Sequence, residues 1–110
     1  MITLEKLKAF GANTEEGLSR CLNNEAFYLR LVGKFIEKNA YIALKEALSR
    51  NDLDAAFTEA HSLKGVLGNL SLTPLYQVIV EMTELLRVRT MMDYTPLLEK
   101  YELLFNQLIS

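Results

Sequence analysis

The sequence has few of the residues that build disulfide scaffolds, metal centres or membrane spans. Its 110 residues include one cysteine, one histidine, two prolines and no tryptophan. Cys21 therefore has no second cysteine for an internal disulfide, and around His61 only Asp54 lies at a spacing suited to a shared metal ion. The apolar runs are a few residues long, far short of the roughly 20 that cross a bilayer. We expect no metal site and no membrane partner.

The sequence also lacks a large excess of either positive or negative charge. Lysine and arginine total 12 against 14 aspartate and glutamate, so the formal net charge is -2. Nucleic acid is not expected as a partner, because its binding calls for a strongly basic face. Hydrophobic residues make up 50% of the chain and charged residues 24%, which is typical of a globular protein. We predict one domain over residues 1–110, and the absence of a leader sequence favours the cytoplasm.

What is present is helical periodicity along nearly the whole chain, with no sustained strand alternation. Asn13, Asn24 and either Asn51 or Asp52 are placed to cap successive helices. Thr73-Pro74 and Thr95-Pro96 each suggest a threonine N-cap followed by proline at the first helical position. The sequence predicts an all-α fold, an antiparallel four-helix bundle with short additional N-terminal helices, one of them over Met1–Phe10. Two apolar helix faces are expected in its core: Leu75, Val78, Ile79, Met82, Leu85 and Leu86; and Leu97, Leu98, Tyr101, Leu104, Phe105 and Leu108.

The helix over residues 52–70 has an unusual polar face. At about 100° per residue its core side faces away from His61, which should be exposed. That core side is expected to comprise Ala56, Ala60, Leu63, Val66, Leu67 and Leu70. Within about 60° of His61 lie Asp54, Phe57, Thr58, Lys64, Gly65 and Gly68.

Two glycines on an exposed helix face cost about 1 kcal/mol each relative to alanine, and folding alone does not require them. Gly65 and Gly68 would clear side chains from the surface beside the imidazole, so that another molecule could approach closely. Lys64 is the only cation expected on this stripe and could offset negative charge added to the ring. Neutral imidazole is a nucleophile near pH 7 and can accept a phosphoryl group.

Plainer interpretations apply to each candidate. A lone histidine in a helical domain is most often a solvated or satisfied structural residue, and helix glycines often serve close packing. Cys21 is expected to be a small buried hydrophobe. Met91 and Met92 are expected to fill a gap at the end of the bundle, and Glu81 and Glu84 to be surface charges.

The segment AHSLKGVLGNL, residues 60–70, resembles the phosphorylation-site helix of histidine-containing phosphotransfer (HPt) domains, whose pattern is His-x-x-Lys-Gly with small residues beyond. The resemblance extends over most of the chain, since the motif lies mid-chain in a helical domain of this length. It implies that His61 accepts a phosphoryl group, typically on the ring nitrogen remote from the backbone, from an aspartyl phosphate of a response-regulator receiver domain. His61 would then pass the group to another receiver. Lys64 would stabilise the charge.

The resemblance implies no nucleotide site, no kinase activity and no cofactor in this chain, with magnesium supplied by the receiver. Receiver domains are the expected partners of a monomer, and a hybrid histidine kinase is a further candidate. Phe57, Gly65, Gly68 and Asn69 are expected on the partner-binding rim, with Phe57 exposed. Two alternatives stay open: a helical interaction module that binds or inhibits a receiver or kinase without being phosphorylated, and a structural subunit without phosphoryl chemistry.

Overall fold

A computed structural model describes residues 2–110, which fold into helices joined by short connections. Met1, where the first predicted helix begins, lies outside the described residues. The all-α prediction is confirmed. The seven helices of the described residues are α1 (Leu4–Phe10), α2 (Thr14–Arg20), α3 (Glu25–Lys38), α4 (Tyr41–Ser49), α5 (Leu53–Asn69), α6 (Thr73–Arg87) and α7 (Thr95–Ile109).

Three helices begin at the polar caps that the sequence predicts. The side-chain oxygen of Asn13 accepts a hydrogen bond from the backbone N–H of the third residue beyond it, and those of Asn24 and Asp52 do the same. Each bond satisfies one of the backbone donors that a helix start leaves without a partner. Asn39, with φ of 45°, ends α3 in the left-handed conformation.

The two Thr-Pro starts differ from the prediction by one position. Leu72 and Tyr94 are the N-caps of α6 and α7, so Thr73 is already helical and Pro74 follows within the first turn. Neither N-cap side chain makes a capping bond, and the hydroxyl of Thr73 donates to the carbonyl of Ser71 instead. At α7 the carboxylate of Asp93 accepts the N–H of Thr95 instead. The threonine N-cap prediction is therefore wrong, although proline does mark both helix starts.

The long helices pack as a bundle around α5 and α6. The three-residue connection between α5 and α6 turns the chain back, and the two helices pack side by side as antiparallel neighbours. α4 packs on α5, and α7 packs on α6. α3 closes the bundle, with Phe35 edge-on to Phe105 of α7 at 6.4 Å between ring centroids. The two short N-terminal helices, α1 and α2, lie beside this bundle as predicted.

Two buried tyrosines connect distant parts of the chain. The hydroxyl of Tyr28 on α3 donates to the carbonyl of Leu70, immediately after α5, at 2.8 Å. Burial raises the pKa of Tyr28 to about 12. Tyr41 on α4 stacks on Tyr101 of α7 with 4.3 Å between ring centroids and donates to the carboxylate of Glu102. These contacts hold α3 against the end of α5, and α4 against α7.

The predicted core faces are largely confirmed. On α6 every predicted residue is buried except Leu85, which is partly exposed; on α7 Tyr101 and Leu108 are buried and the rest partly so. Val66 on α5 is the exception, since it is 43% exposed. It lies at the edge of the core face, where an open groove separates α5 from α3. Within residues 2–110, no helix combines the length and apolar character needed to span a membrane.

Candidate functional site

His61 lies on the outward face of α5, as the helical periodicity predicts. The helix starts at the Asp52 cap, and its small and branched apolar residues face the bundle. The fully or nearly fully buried ones are Ala56, Ala60, Leu63 and Leu67. Because the imidazole lies on the opposite side of the helix, it is exposed and accessible to a partner.

The two glycines of this face have different surroundings. A Cβ added at Gly65 would meet nothing within 4 Å, so the surface beside His61 is open there. A Cβ at Gly68 would lie 3.2 Å from Cε1 of Tyr76 on α6. The missing side chain of Gly68 thus makes room for a tyrosine ring of the same chain. The clearance interpretation holds geometrically for Gly65 and is wrong for Gly68, whose position serves helix packing.

Phe57 is half-buried, whereas the sequence led us to expect it exposed. One turn before His61 on α5, its ring stacks on the imidazole, with 5.7 Å between centroids and 25° between planes. Two guanidinium groups lie over the same ring: that of Arg87 at 5.2 Å and that of Arg89 at 4.9 Å from the centroid. Phe57 therefore contacts both the candidate nucleophile and two cations.

Arg89 is fixed by contacts on several sides. Its Nε donates to the Asp54 carboxylate on α5 at 2.6 Å. A second nitrogen donates to the carbonyl of Leu86 at 2.8 Å, near the end of α6. These bonds join the connection after α6 to the first turn of α5.

The face beside His61 is more cationic than predicted, so the expectation that Lys64 is its only cation is wrong. Arg87 and Arg89 come from α6 and the residues after it, far away in sequence. Arg87 pairs with Glu84 at 2.9 Å, and this bond, together with the charges of Arg87 and Lys64, lowers the pKa of the Glu84 carboxyl group. Three cations thus stand against the carboxylates of Glu84 and Asp54. Lys64 forms no ion pair with any described residue.

An open groove of about 500 Å³ runs along the other end of this face, between α5, α2 and the start of α6. Lys64, Gly65 and Asn69 line it on α5, opposite Arg20 of α2 and Tyr76 of α6. Asn69 is exposed, as predicted. Three of the four candidate rim residues, Gly65, Gly68 and Asn69, therefore line one groove, and the fourth, Phe57, contacts His61 instead.

Cys21, Met91 and Met92 do not line the groove beside Gly65. Cys21 is buried, as predicted. Met91 and Met92 are 75% and 45% exposed, so the expectation that they fill a core gap is wrong. They line a groove at the start of α7 instead. Among residues 2–110, no three His, Cys, Asp or Glu side chains are grouped so as to hold a metal ion.

The sequence reading missed Arg87, Arg89 and Tyr76. The short connection between α5 and α6 is the sequence feature that could have predicted their positions. Antiparallel pairing about residues 70–72 brings the end of α6 beside the start of α5, opposite Phe57. The same pairing sets Tyr76 against Gly68.

The family comparison agrees with this geometry. The model of the Hpt domain family matches residues 41–110, which include α4 to α7 and every residue of α5 and α6 on the face described above, but not Arg20 of α2. Comparisons with curated proteins and with solved structures gave no significant match. The family match covers more than half of the chain, and its helical architecture is the one observed here. The chain belongs to the Hpt domain family, the phosphotransfer modules of two-component signalling.

Proposed function

We propose that His61 accepts a phosphoryl group from the aspartyl phosphate of one receiver domain and passes it to an aspartate of a second. The observation that carries the proposal is an exposed imidazole beside the open surface at Gly65. Hpt domains are phosphocarriers without kinase activity of their own, and they interact with receiver domains and histidine kinases. This chain would then be a carrier, and a hybrid kinase could supply a receiver.

The transfer exchanges one bond for another. A lone pair on an imidazole nitrogen attacks phosphorus, the N–P bond forms, and the P–O bond to the aspartyl carboxylate breaks. The carboxylate leaves with the bonding electron pair, and no water takes part. The second transfer runs the same exchange in reverse at another receiver. Each step needs the nitrogen and phosphorus in line and within about 3.5 Å, which requires the two proteins to approach closely.

The neighbouring residues support this chemistry. Gly65 leaves room for the partner's surface, and Lys64 can offset the charge of the phosphoryl group on His61. Asn69 is an exposed polar residue on the rim and can bond the partner. At Gly68 the partner would meet the ring of Tyr76, and over Phe57 it would meet the guanidinium groups of Arg87 and Arg89. These cations suit an acidic phosphorylation pocket, whose magnesium would belong to the receiver.

Because one chain supplies every residue of this proposal, we propose that the protein acts as a monomer. We also propose that it acts in the cytoplasm.

To test the carrier function, the purified protein is incubated with a phosphorylated receiver, and we expect an acid-labile, base-stable phosphate on the wild type. His61→Gln should abolish this label. Receiver binding with no label on the wild type, across several receivers, would favour the interaction-module alternative and overturn the carrier proposal.

A further inference from the structure

The imidazole of His61 is exposed, yet one of its neighbours stacks on it. Exposed side chains exchange rotamers within nanoseconds when nothing holds them. Here the ring of Phe57 stacks on the imidazole at 5.7 Å. Phe57 is itself half-buried and covered by the guanidinium groups of Arg87 and Arg89. In this stack the imidazole is therefore accessible, whereas the Phe57 ring is held by its surroundings.

The arginines hold Phe57 from a second helix. Arg89 is anchored by Asp54 on α5 and by the Leu86 carbonyl on α6. Arg87 is anchored by its ion pair with Glu84. Because a guanidinium group over a ring face is attracted by the ring's electrons, both arginines favour the position that the Phe57 ring occupies. The orientation of Phe57 is thus set by the pairing of α5 with α6.

We propose that Phe57, clamped by Arg87 and Arg89, is a positioning residue that holds the His61 imidazole in the orientation needed for phosphoryl transfer. The proposal rests on the proposed function of His61 as a phosphoryl carrier. It gives Phe57 a role inside the protein instead of the docking role expected from an exposed ring. Aromatic stacking changes rotamer populations by about two- to ten-fold, which is enough to change the rate of a step that depends on alignment.

The first test uses a phosphoryl donor that does not need docking. Phosphoramidate can phosphorylate a histidine directly: its P–N bond breaks, ammonia leaves, and the N–P bond to His61 forms. We expect Phe57→Leu to lower the rate constant for this reaction about five-fold. Phe57→Tyr keeps the ring and should restore most of the rate. Arg89→Gln should lower the rate about two-fold through the weakened clamp.

The matched control is Phe27 on α3, an exposed ring with the guanidinium of Arg30 at 5.4 Å from its centroid. It forms no stack with His61, so Phe27→Leu should leave the rate unchanged. Thermal unfolding of each variant shows whether it is folded. With a phosphorylated receiver as donor, Phe57→Leu should lower kcat and leave KM unchanged.

The second test needs no phosphorylation. The chain has one histidine, so the two imidazole carbon-bound protons give one unambiguous pair of NMR signals. Phe57→Leu should shift both signals, because it removes the neighbouring ring. The Hα–Hβ couplings of His61 should change from values typical of one χ1 rotamer to values averaged over several. Phe57→Tyr should keep the single rotamer, as should the Phe27→Leu control.

The outcomes separate the two proposals. A wild type that neither phosphoramidate nor phosphorylated receivers can label would overturn the carrier function and, with it, the positioning role. A labelled wild type whose rate is unchanged in Phe57→Leu would overturn the positioning role alone. A raised KM for the receiver with an unchanged phosphoramidate rate would show that Phe57 acts in docking. Unchanged histidine couplings in Phe57→Leu would also overturn the proposal.

Discussion

Replacing Gly65 should make the protein more stable and a poorer phosphoryl acceptor. A Cβ at this position meets nothing within 4 Å, so Gly65→Ala gains the helix propensity difference of about 1 kcal/mol without a clash. For a domain of this size, that corresponds to a rise in Tm of roughly 4 °C. Gly65→Gln should retain most of the gain, because glutamine is also a good helix former. Its long side chain would occupy the open surface beside His61.

The expected loss of transfer follows from distance. A partner that is held back by about 1 Å from the reactive geometry loses roughly a hundred-fold in rate. We therefore expect Gly65→Gln to slow transfer from a phosphorylated receiver at least ten-fold, and Gly65→Ala to slow it less. Urea denaturation gives the free energy of unfolding, and the rate of label transfer gives the functional effect.

Gly33 on α3 provides the matched control, since a Cβ there also meets nothing within 4 Å. Gly33→Gln should raise stability by a similar amount and leave transfer unchanged. If Gly65→Gln and Gly33→Gln transferred at the same rate, the open surface at Gly65 would have no role in partner approach. If neither Gly65→Ala nor Gly33→Gln were more stable than the wild type, the description of both sites as open would be wrong.

Further predictions concern contacts away from the site. Gly17→Ala should destabilise the protein by about 1–3 kcal/mol in urea denaturation, because the new Cβ would collide with the ring of Tyr28. Tyr28→Phe should cost about 1–2 kcal/mol, since it leaves the buried carbonyl after α5 without its donor; an unchanged free energy of unfolding would show that water replaces the hydroxyl. The hydrogen bonds from Lys45 and Tyr41 lower the pKa of Glu102, so their stabilisation is present above the carboxyl's unfolded pKa and is lost as pH falls through the folded value. Glu102→Gln should flatten the pH dependence of Tm below about pH 5, and an unaltered profile would refute this assignment.

The fold could be predicted from the sequence wherever a local rule decides the structure. Asn13, Asn24 and Asp52 cap their helices because side-chain bonds to nearby backbone groups need only local geometry. The position of His61 on the outward face follows from the period of α5. The Thr-Pro starts were misjudged by one residue because proline fits more than one position of a first turn.

The site was less predictable because three of its residues come from α6 and the connection after it. Periodicity places residues on the face of their own helix and says nothing of what packs across it. Tyr76 fills the space at Gly68, and Arg87 and Arg89 cover Phe57. All three follow from the register of α6 on α5, which tertiary packing determines. A glycine pattern alone could not distinguish Gly65, open to solvent, from Gly68, packed on a ring.

The family match and the hydrophobic core have different boundaries. The match begins at residue 41, yet Leu7, Tyr28 and Val32 are fully buried in the same core as α5 and α6. The N–H of Asn13 also donates to the carbonyl of Ser71, beside the Tyr28 bond to Leu70. Residues 2–40 therefore pack against the end of α5 that lies beyond His61. A fragment trimmed to residues 41–110 would expose apolar core surface and leave the carbonyls of Leu70 and Ser71 without their donors. The segment that matches the family model is therefore smaller than the unit that has to fold.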